Sequence, residues 1–170
     1  ANYDAESRRE IEPTWIYRHD LKTGERVALA KPRKPAWTTP LLSPGGNYIL
    51  YSRKDLHPRG NQYWLVDIEG SEDREILNFG AKARIDAAWL PDGRRIAFTS
   101  ESKGGELQKY YSIGIYHVET GEVEWIIDDP KRNIERIISP CNGNHLVLIE
   151  YHKSKPKPSI INLKTMEETR

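Results

Sequence analysis

Two turn signals recur along this chain with nearly the same period, and that recurrence constrains the fold more than any other feature. The first signal is Ser43-Pro44-Gly45-Gly46, Leu90-Pro91-Asp92-Gly93 and Ser139-Pro140-Cys141-Asn142-Gly143, whose prolines lie 47 and 49 positions apart. After each comes a short apolar run: Tyr48-Ile49-Leu50-Tyr51, Ile96-Ala97-Phe98-Thr99 and Leu146-Val147-Leu148-Ile149. The second signal joins two strands through Asp20 to Glu25, Asp67 to Gly70 and Val118 to Glu122, with Gly24, Gly70 and Gly121 spaced 46 and 51 apart. In Asn162-Leu163-Lys164-Thr165-Met166-Glu167, Met166 takes the glycine place 45 positions further on. Pro fixes φ at the first turn position and Gly or Asn accepts a positive φ, so each segment reverses the chain between two strands. The runs between turns are rich in β-branched and aromatic residues, and Pro or Gly interrupts every window long enough for an amphipathic helix.

Four short antiparallel strands per repeat at this period predict an all-β chain of β-propeller blades. With the strands of a blade named a to d, the chain opens on a c–d pair alone, Ile16 to Asp20 and Val27 to Ala30. The expected partition is a half blade over 1–36, blades over 37–83 and 84–133, and a blade over 134–170 whose last strand is cut near Glu168-Thr169-Arg170. That is about three and a half blades, a partial propeller short of the roughly four that closed rings need. The bare faces of its terminal blades are expected to want cover. Two expectations follow: the chain is a fragment of a longer propeller, or a second copy closes the ring as a homodimer. Fourteen strands taken twice make 28, the number in seven blades of four.

The turn, apolar strand, aromatic-rich strand and Thr-Gly-Glu turn together resemble the TolB-type propeller repeat. The same repeat builds the propeller of prolyl oligopeptidase and its dipeptidyl-peptidase relatives. The likeness is carried by Leu90 to Phe98 and Ile115 to Glu122 and extends from Trp15 to Arg170. Gly45 and Cys141-Asn142 depart from the usual Asp of the turn, yet each supplies a turn former. The resemblance implies a non-catalytic propeller that gates short peptides to a serine peptidase domain not contained in these residues. It equally implies a TolB-like scaffold that binds a partner protein through its loop face.

Nothing in the residues themselves spells catalysis. A serine hydrolase elbow needs Gly-x-Ser-x-Gly on a strand–helix turn, and the sequence has none. His19, His57, His117, His145 and His152 are scattered without His-x-x-x-His, and Cys141 has no ligand partner at a useful spacing, so no metal or other cofactor is expected. His117 and His145 fall in expected strands, while His57 and His152 fall in expected loops. Asp128-Asp129 and Glu167-Glu168 are sequence neighbours and need not face one another as an acid–base pair. Trp15, Trp37, Trp64, Trp89 and Trp125 recur about once per half-repeat and are expected in the core between blades. No run approaches the length of a membrane span, and no nucleic-acid module is recognisable, so neither partner is expected.

Charge is informative only once it is sorted by loop. The whole chain has 26 Lys and Arg against 25 Asp and Glu. In a propeller the d–a and b–c loops open on one face, and the a–b and c–d turns on the other. The first set, taken as 28–36, 53–61, 79–84, 101–109, 128–134 and 152–158, holds fifteen Lys and Arg against five acids. The turn set holds thirteen acids against six bases. The basic face is therefore the candidate binding surface, carried by Lys31, Arg33, Lys34, Lys54, His57, Arg59, Lys82, Arg84, Lys131, Arg132, His152, Lys153, Lys155 and Lys157. A face of that sign suits an acidic protein or peptide, or a neighbouring hydrolase domain, within the roughly 8–10 Å over which salt leaves a charge unscreened.

Overall fold

The computed structural model describes residues 15–30, 40–55, 60–78, 86–101, 111–129, 132, 134–140, 143–152 and 155–170. Strands β1 (Ile16–His19) and β2 (Arg26–Ala30) pair as a two-stranded antiparallel sheet. Three four-stranded antiparallel sheets follow in strict sequence order. They are β3 (Leu41–Leu42), β4 (Tyr48–Asp55), β5 (Gly60–Asp67) and β6 (Asp73–Asn78); β7 (Ala87–Trp89), β8 (Arg95–Glu101), β9 (Tyr111–His117) and β10 (Val123–Ile127); and β11 (Ile134–Ile138), β12 (His145–His152), β13 (Lys155–Asn162) and β14 (Glu168–Thr169). Each strand pairs only with its sequence neighbours, so every sheet is a meander and forms one blade. The fold is an all-β partial propeller with an opening half blade.

The turns repeat down to single hydrogen bonds. Ser43, Leu90 and Pro140 each accept at their carbonyl from Gly46, Gly93 and Gly143, glycines held at φ of 74°, 68° and 74°. Positive φ is open to glycine without a Cβ clash, which fixes these positions. The true period is thus 47 and then 50 residues, and the expected match of Pro140 to Pro44 and Pro91 is one place out. Pro140 stands where Ser43 and Leu90 stand. Met166 sits at φ 59° in the c–d turn, in the conformation that Gly24 and Gly121 adopt at 73° and 74°.

The alternation of each strand sends one row of side chains to the blade before and the other to the blade after. Between the half blade and the second sheet lie Ile16, Leu29, Ala30, Ile49, Tyr51 and Val66. The next layer holds Leu50, Leu65, Trp89, Ile96, Phe98 and Tyr116, and the last holds Ala97, Ile113, Ile115, Ile137, Leu146, Leu148 and Ile161. Each fully buried Leu, Ile or Phe contributes about 1.5–3 kcal/mol, so the cohesion resides between blades. The tryptophan expectation holds only in part. Trp89 is buried and Trp64 half-buried in these layers, but Trp15 and Trp125 are exposed, the latter on the outermost strand of its blade, and Trp37 lies outside the described residues.

One expected loop is a strand. His152 to Pro158 reads as a loop because of Pro156 and Pro158, yet Lys155 pairs with His152, Pro156 with Tyr151 and Pro158 with Ile149. The prolines fit because β14 pairs only with Ile160 and Ile161, so the outer edge of β13 carries no ladder at 155–158 that would need their missing N–H. His152 is likewise a strand residue of β12.

Candidate functional site

The candidate surface is the face onto which the d–a and b–c connections open. Of the residues expected to form it, Arg132, Lys155 and Lys157 lie among those described with their side chains. Lys54 is the next-to-last residue of strand β4 and His152 closes β12. Lys31, Arg33, Lys34, His57, Arg59, Lys82, Arg84, Lys131 and Lys153 lie outside the described residues. Lys155 and Lys157 are exposed on β13 and aligned with β12.

Arg132 does something different from what its place in a basic loop suggests. Its Nη1 donates to Glu168 Oε2 at 2.8 Å and its Nη2 to Glu168 Oε1 at 2.7 Å, a fork-to-fork pair. Nη2 also donates to Glu150, on β12. The Arg132 side chain is only 12% exposed, so it ties the strand-connecting segment to β12 and β14 rather than waiting for a ligand. Burial alone would raise the Glu168 carboxyl, but hydrogen bonding and the Arg132 charge outweigh it and hold that carboxyl below its usual range. A second arginine is engaged in the same way. Arg53 Nη2 donates to Asp73 Oδ2 and to the Tyr51 hydroxyl, both at 2.7 Å, and its guanidinium lies 3.6 Å from the centre of the Trp64 ring. Burial and the bond to Asp73 push the Tyr51 hydroxyl far above its ordinary pKa, so it stays a proton donor. Sequence reasoning counted Arg53 and Arg132 as loop charge; their carboxylate partners stand 18 to 36 residues away, beyond any local spacing signal.

The opposite face gathers the acidic turns, and there the charge is largely consumed at home. Asp20 Oδ1 accepts from the Lys22 and Thr23 amides at 2.8 and 2.9 Å, and Asn162 does the same for Lys164 and Thr165. Asp92 accepts from the Arg94 and Arg95 amides and pairs with Arg95 Nε at 2.6 Å. These bonds favour the ionised carboxylate. The Thr23 amide first, then that of Lys22, holds the Asp20 carboxyl low, and the Ser71 hydroxyl does the same for Asp67. For Asp92 burial works upward and the bonds from Arg94 and Arg95 outweigh it. Between the second and third blades a shallow cleft of about 270 Å³ is lined by Tyr48, Glu72, Arg74, Gly93, Arg94 and Glu119. Its charges are already paired, Arg74 with Glu72 at 2.9 Å and Arg94 with Glu119 at 3.6 Å.

Among the described residues no group of three or more His, Cys, Asp or Glu could hold a metal ion, and no helix is long and apolar enough to cross a membrane. No protein-family profile matches the chain. In fold the chain matches TolB of Acinetobacter baumannii over 94% of its own length and 38% of that chain, at TM-score 0.66 and 21% identity. An oligogalacturonate lyase in complex with manganese matches over 92% of this chain and 41% of that one, at TM-score 0.72 and 20% identity. Dipeptidyl peptidase 4 of Porphyromonas gingivalis matches over 91% and 28%, at TM-score 0.67 and 13% identity.

The fold is that of the TolB-type propeller. In sequence this propeller is 27% identical over 116 residues to an uncharacterised peptidase of Bacillus subtilis, YuxL, a match covering 66% of this chain and 17% of that protein. It therefore spans less than half of each of these proteins, and the resemblance to the prolyl-oligopeptidase-type propellers rests on the blades alone.

Proposed function

We propose that the chain is a non-catalytic propeller module that restricts access to the catalytic domain of a serine peptidase, admitting short peptides and excluding folded protein. The observation that supports this best is a stack of meander blades shared in fold with a dipeptidyl peptidase, together with a sequence likeness to an uncharacterised bacterial peptidase, in a sequence without Gly-x-Ser-x-Gly. Such a module contributes by excluding substrates rather than by touching the reacting atoms. The test is the protein expressed from its complete reading frame. A fluorophosphonate should label one serine outside these residues, and cleavage should fall steeply across a peptide series of increasing length. Absence of labelling, or cleavage independent of length, overturns the reading.

A second reading, a TolB-like scaffold that binds an acidic protein through the basic loop face, is favoured by the likeness to TolB over 94% of the chain and by exposed Lys155 and Lys157. It predicts a salt-sensitive complex that Lys155→Glu with Lys157→Glu weakens, and no labelled serine.

A further inference from the structure

The outermost strands of the four sheets are β2, β6, β10 and β14, and each leaves its far edge unpaired among the described residues. Only β10 presents large apolar side chains to water: Val123 is 37% and Trp125 53% exposed, whereas no large apolar side chain of β2, β6 or β14 is exposed. β10 belongs to the third blade, which packs against a neighbour on both sides, so this exposure owes nothing to either end of the chain. By alternation both side chains stand on one face, Val123 opposite Tyr116 and Trp125 opposite Gly114 of β9. Gly114 leaves the space beside Trp125 clear, and the indole rests edge-on against buried Phe98, with ring centres 5.5 Å apart. Trp125 is thus held from below and open above, a platform already ordered before anything docks on it.

The backbone of the same two residues faces the far edge. His117 N–H bonds to Glu122 O at 2.9 Å, which turns Glu122 and, two residues on, Glu124 toward β9. The N–H and C=O of Val123 and Trp125 therefore point away from it. The register shift between Trp125 and Ile127 ends this edge. Four backbone groups and two apolar side chains thus coincide on one short strand, which is what strand addition uses. Charge selects the occupant. Residues 119–129 hold five acids and no Lys, Arg or His. Glu119 is matched by Arg94 at 3.6 Å, and Glu124 lies 3.7 Å from His117 Nε2, yet both Glu122 and Glu124 are exposed. They stand on the face opposite to Val123 and Trp125.

We propose that the outer edge of β10 is a strand-addition site for an extended segment of another protein, antiparallel to β10, in which Lys or Arg alternates with apolar residues. Its backbone pairs with Val123 and Trp125, its apolar row covers their side chains, and its basic row meets Glu122 and Glu124. A second copy fits poorly. With Val123 and Trp125 facing outward, antiparallel self-pairing sets Val123 beside Trp125 and Glu124 beside Glu124, a like-charge pair. The proposal is independent of the peptidase reading, and its basic partner is the reverse of the acidic one expected at the loop face.

The test uses this chain with a short blocked peptide alternating lysine and valine, beside a glutamate–valine peptide of the same length. As the lysine–valine peptide saturates, amide exchange read by NMR should slow by about fivefold or more at Val123 and Trp125, and the glutamate–valine peptide should protect neither. Glu122→Lys with Glu124→Lys should weaken the lysine–valine peptide by roughly tenfold and reverse the preference. N-methylation of the peptide's valines, whose amides face β10, should abolish protection, and N-methylation of its lysines should leave it. No protection at about 1 mM peptide overturns the proposal. So does equal binding of the two methylated peptides, which would reduce the contact to charge alone. Protection that rises with chain concentration in the absence of peptide also overturns it, by assigning the edge to a second copy.

Discussion

Gly114 shows how tightly single atoms are set inside a blade. A Cβ built there lies 2.5 Å from Phe98 Cζ and 2.9 Å from Cε1, and Phe98 is itself fully buried with Trp125 edge-on at 5.5 Å. The glycine is required for space, not for a special φ. Gly114→Ala should therefore cost about 1–3 kcal/mol in denaturant unfolding, and Phe98→Leu in the same chain should recover part of it. An alanine variant as stable as the parent would mean that the ring moves freely. Met166 is the converse case. It holds a left-handed φ of 59° with its side chain 44% exposed, so the backbone strain is not offset by burial. Met166→Gly should raise stability by about 0.5–1 kcal/mol, read as a higher denaturant midpoint at unchanged slope.

At the scale of elements, the strands hold the blades and a few buried charges fix how segments between strands attach. Arg132 joins Glu150 on β12 and Glu168 on β14, with all three side chains at most 20% exposed. Arg132→Ala leaves two carboxylates facing each other without a cation and should cost about 2–3 kcal/mol, less than for a fully dry pair because some solvent reaches them. Lys155→Ala, on an exposed strand position, should stay within about 0.5 kcal/mol, and equal losses in the two variants would remove the distinction drawn between them. The strands and their meander order were legible because alternation and turn chemistry are local: Gly46, Gly93 and Gly143 announce their turns in the sequence itself. What Arg132, Arg53 and His152 do was not legible. An arginine in a basic stretch looks the same whether it meets water or a carboxylate 36 residues away. Pro156 and Pro158 signal a loop unless one knows that the neighbouring strand stops at Ile160. The exposure of Trp15 and Trp125 was hidden for a related reason, since regular spacing reports the strand and not whether another blade lies against it.

For the whole molecule, four carboxyls held low by their donors have a consequence in acid. On the turn face Asp20, Asp67 and Asp92 are held below their ordinary range by amide, hydroxyl and guanidinium donors, and Glu168 is held low beside Arg132. A carboxyl whose pKa is lower folded than unfolded stabilises the fold at every pH above its unfolded value. That contribution is lost as pH falls through the lowered folded value, because the unfolded chain then binds more protons. Unfolding free energy should thus be nearly flat from about pH 7 to pH 5 as far as these groups are concerned, and decline below about pH 4. The four sites differ in how much of this can show. Asp20 and Asp67 lie in water, where salt and solvent screen their partners, while Asp92 and Glu168 are partly sheltered and should dominate. Denaturant unfolding between pH 7 and pH 2 should therefore lose part of its acid slope in Asp92→Asn and in Glu168→Gln, with each variant less stable than the parent at pH 7 and closest to it at the acid end. A parent whose stability rises on acidification, or variants whose deficit is the same at every pH, would show that these carboxylates do not carry the acid sensitivity of the propeller.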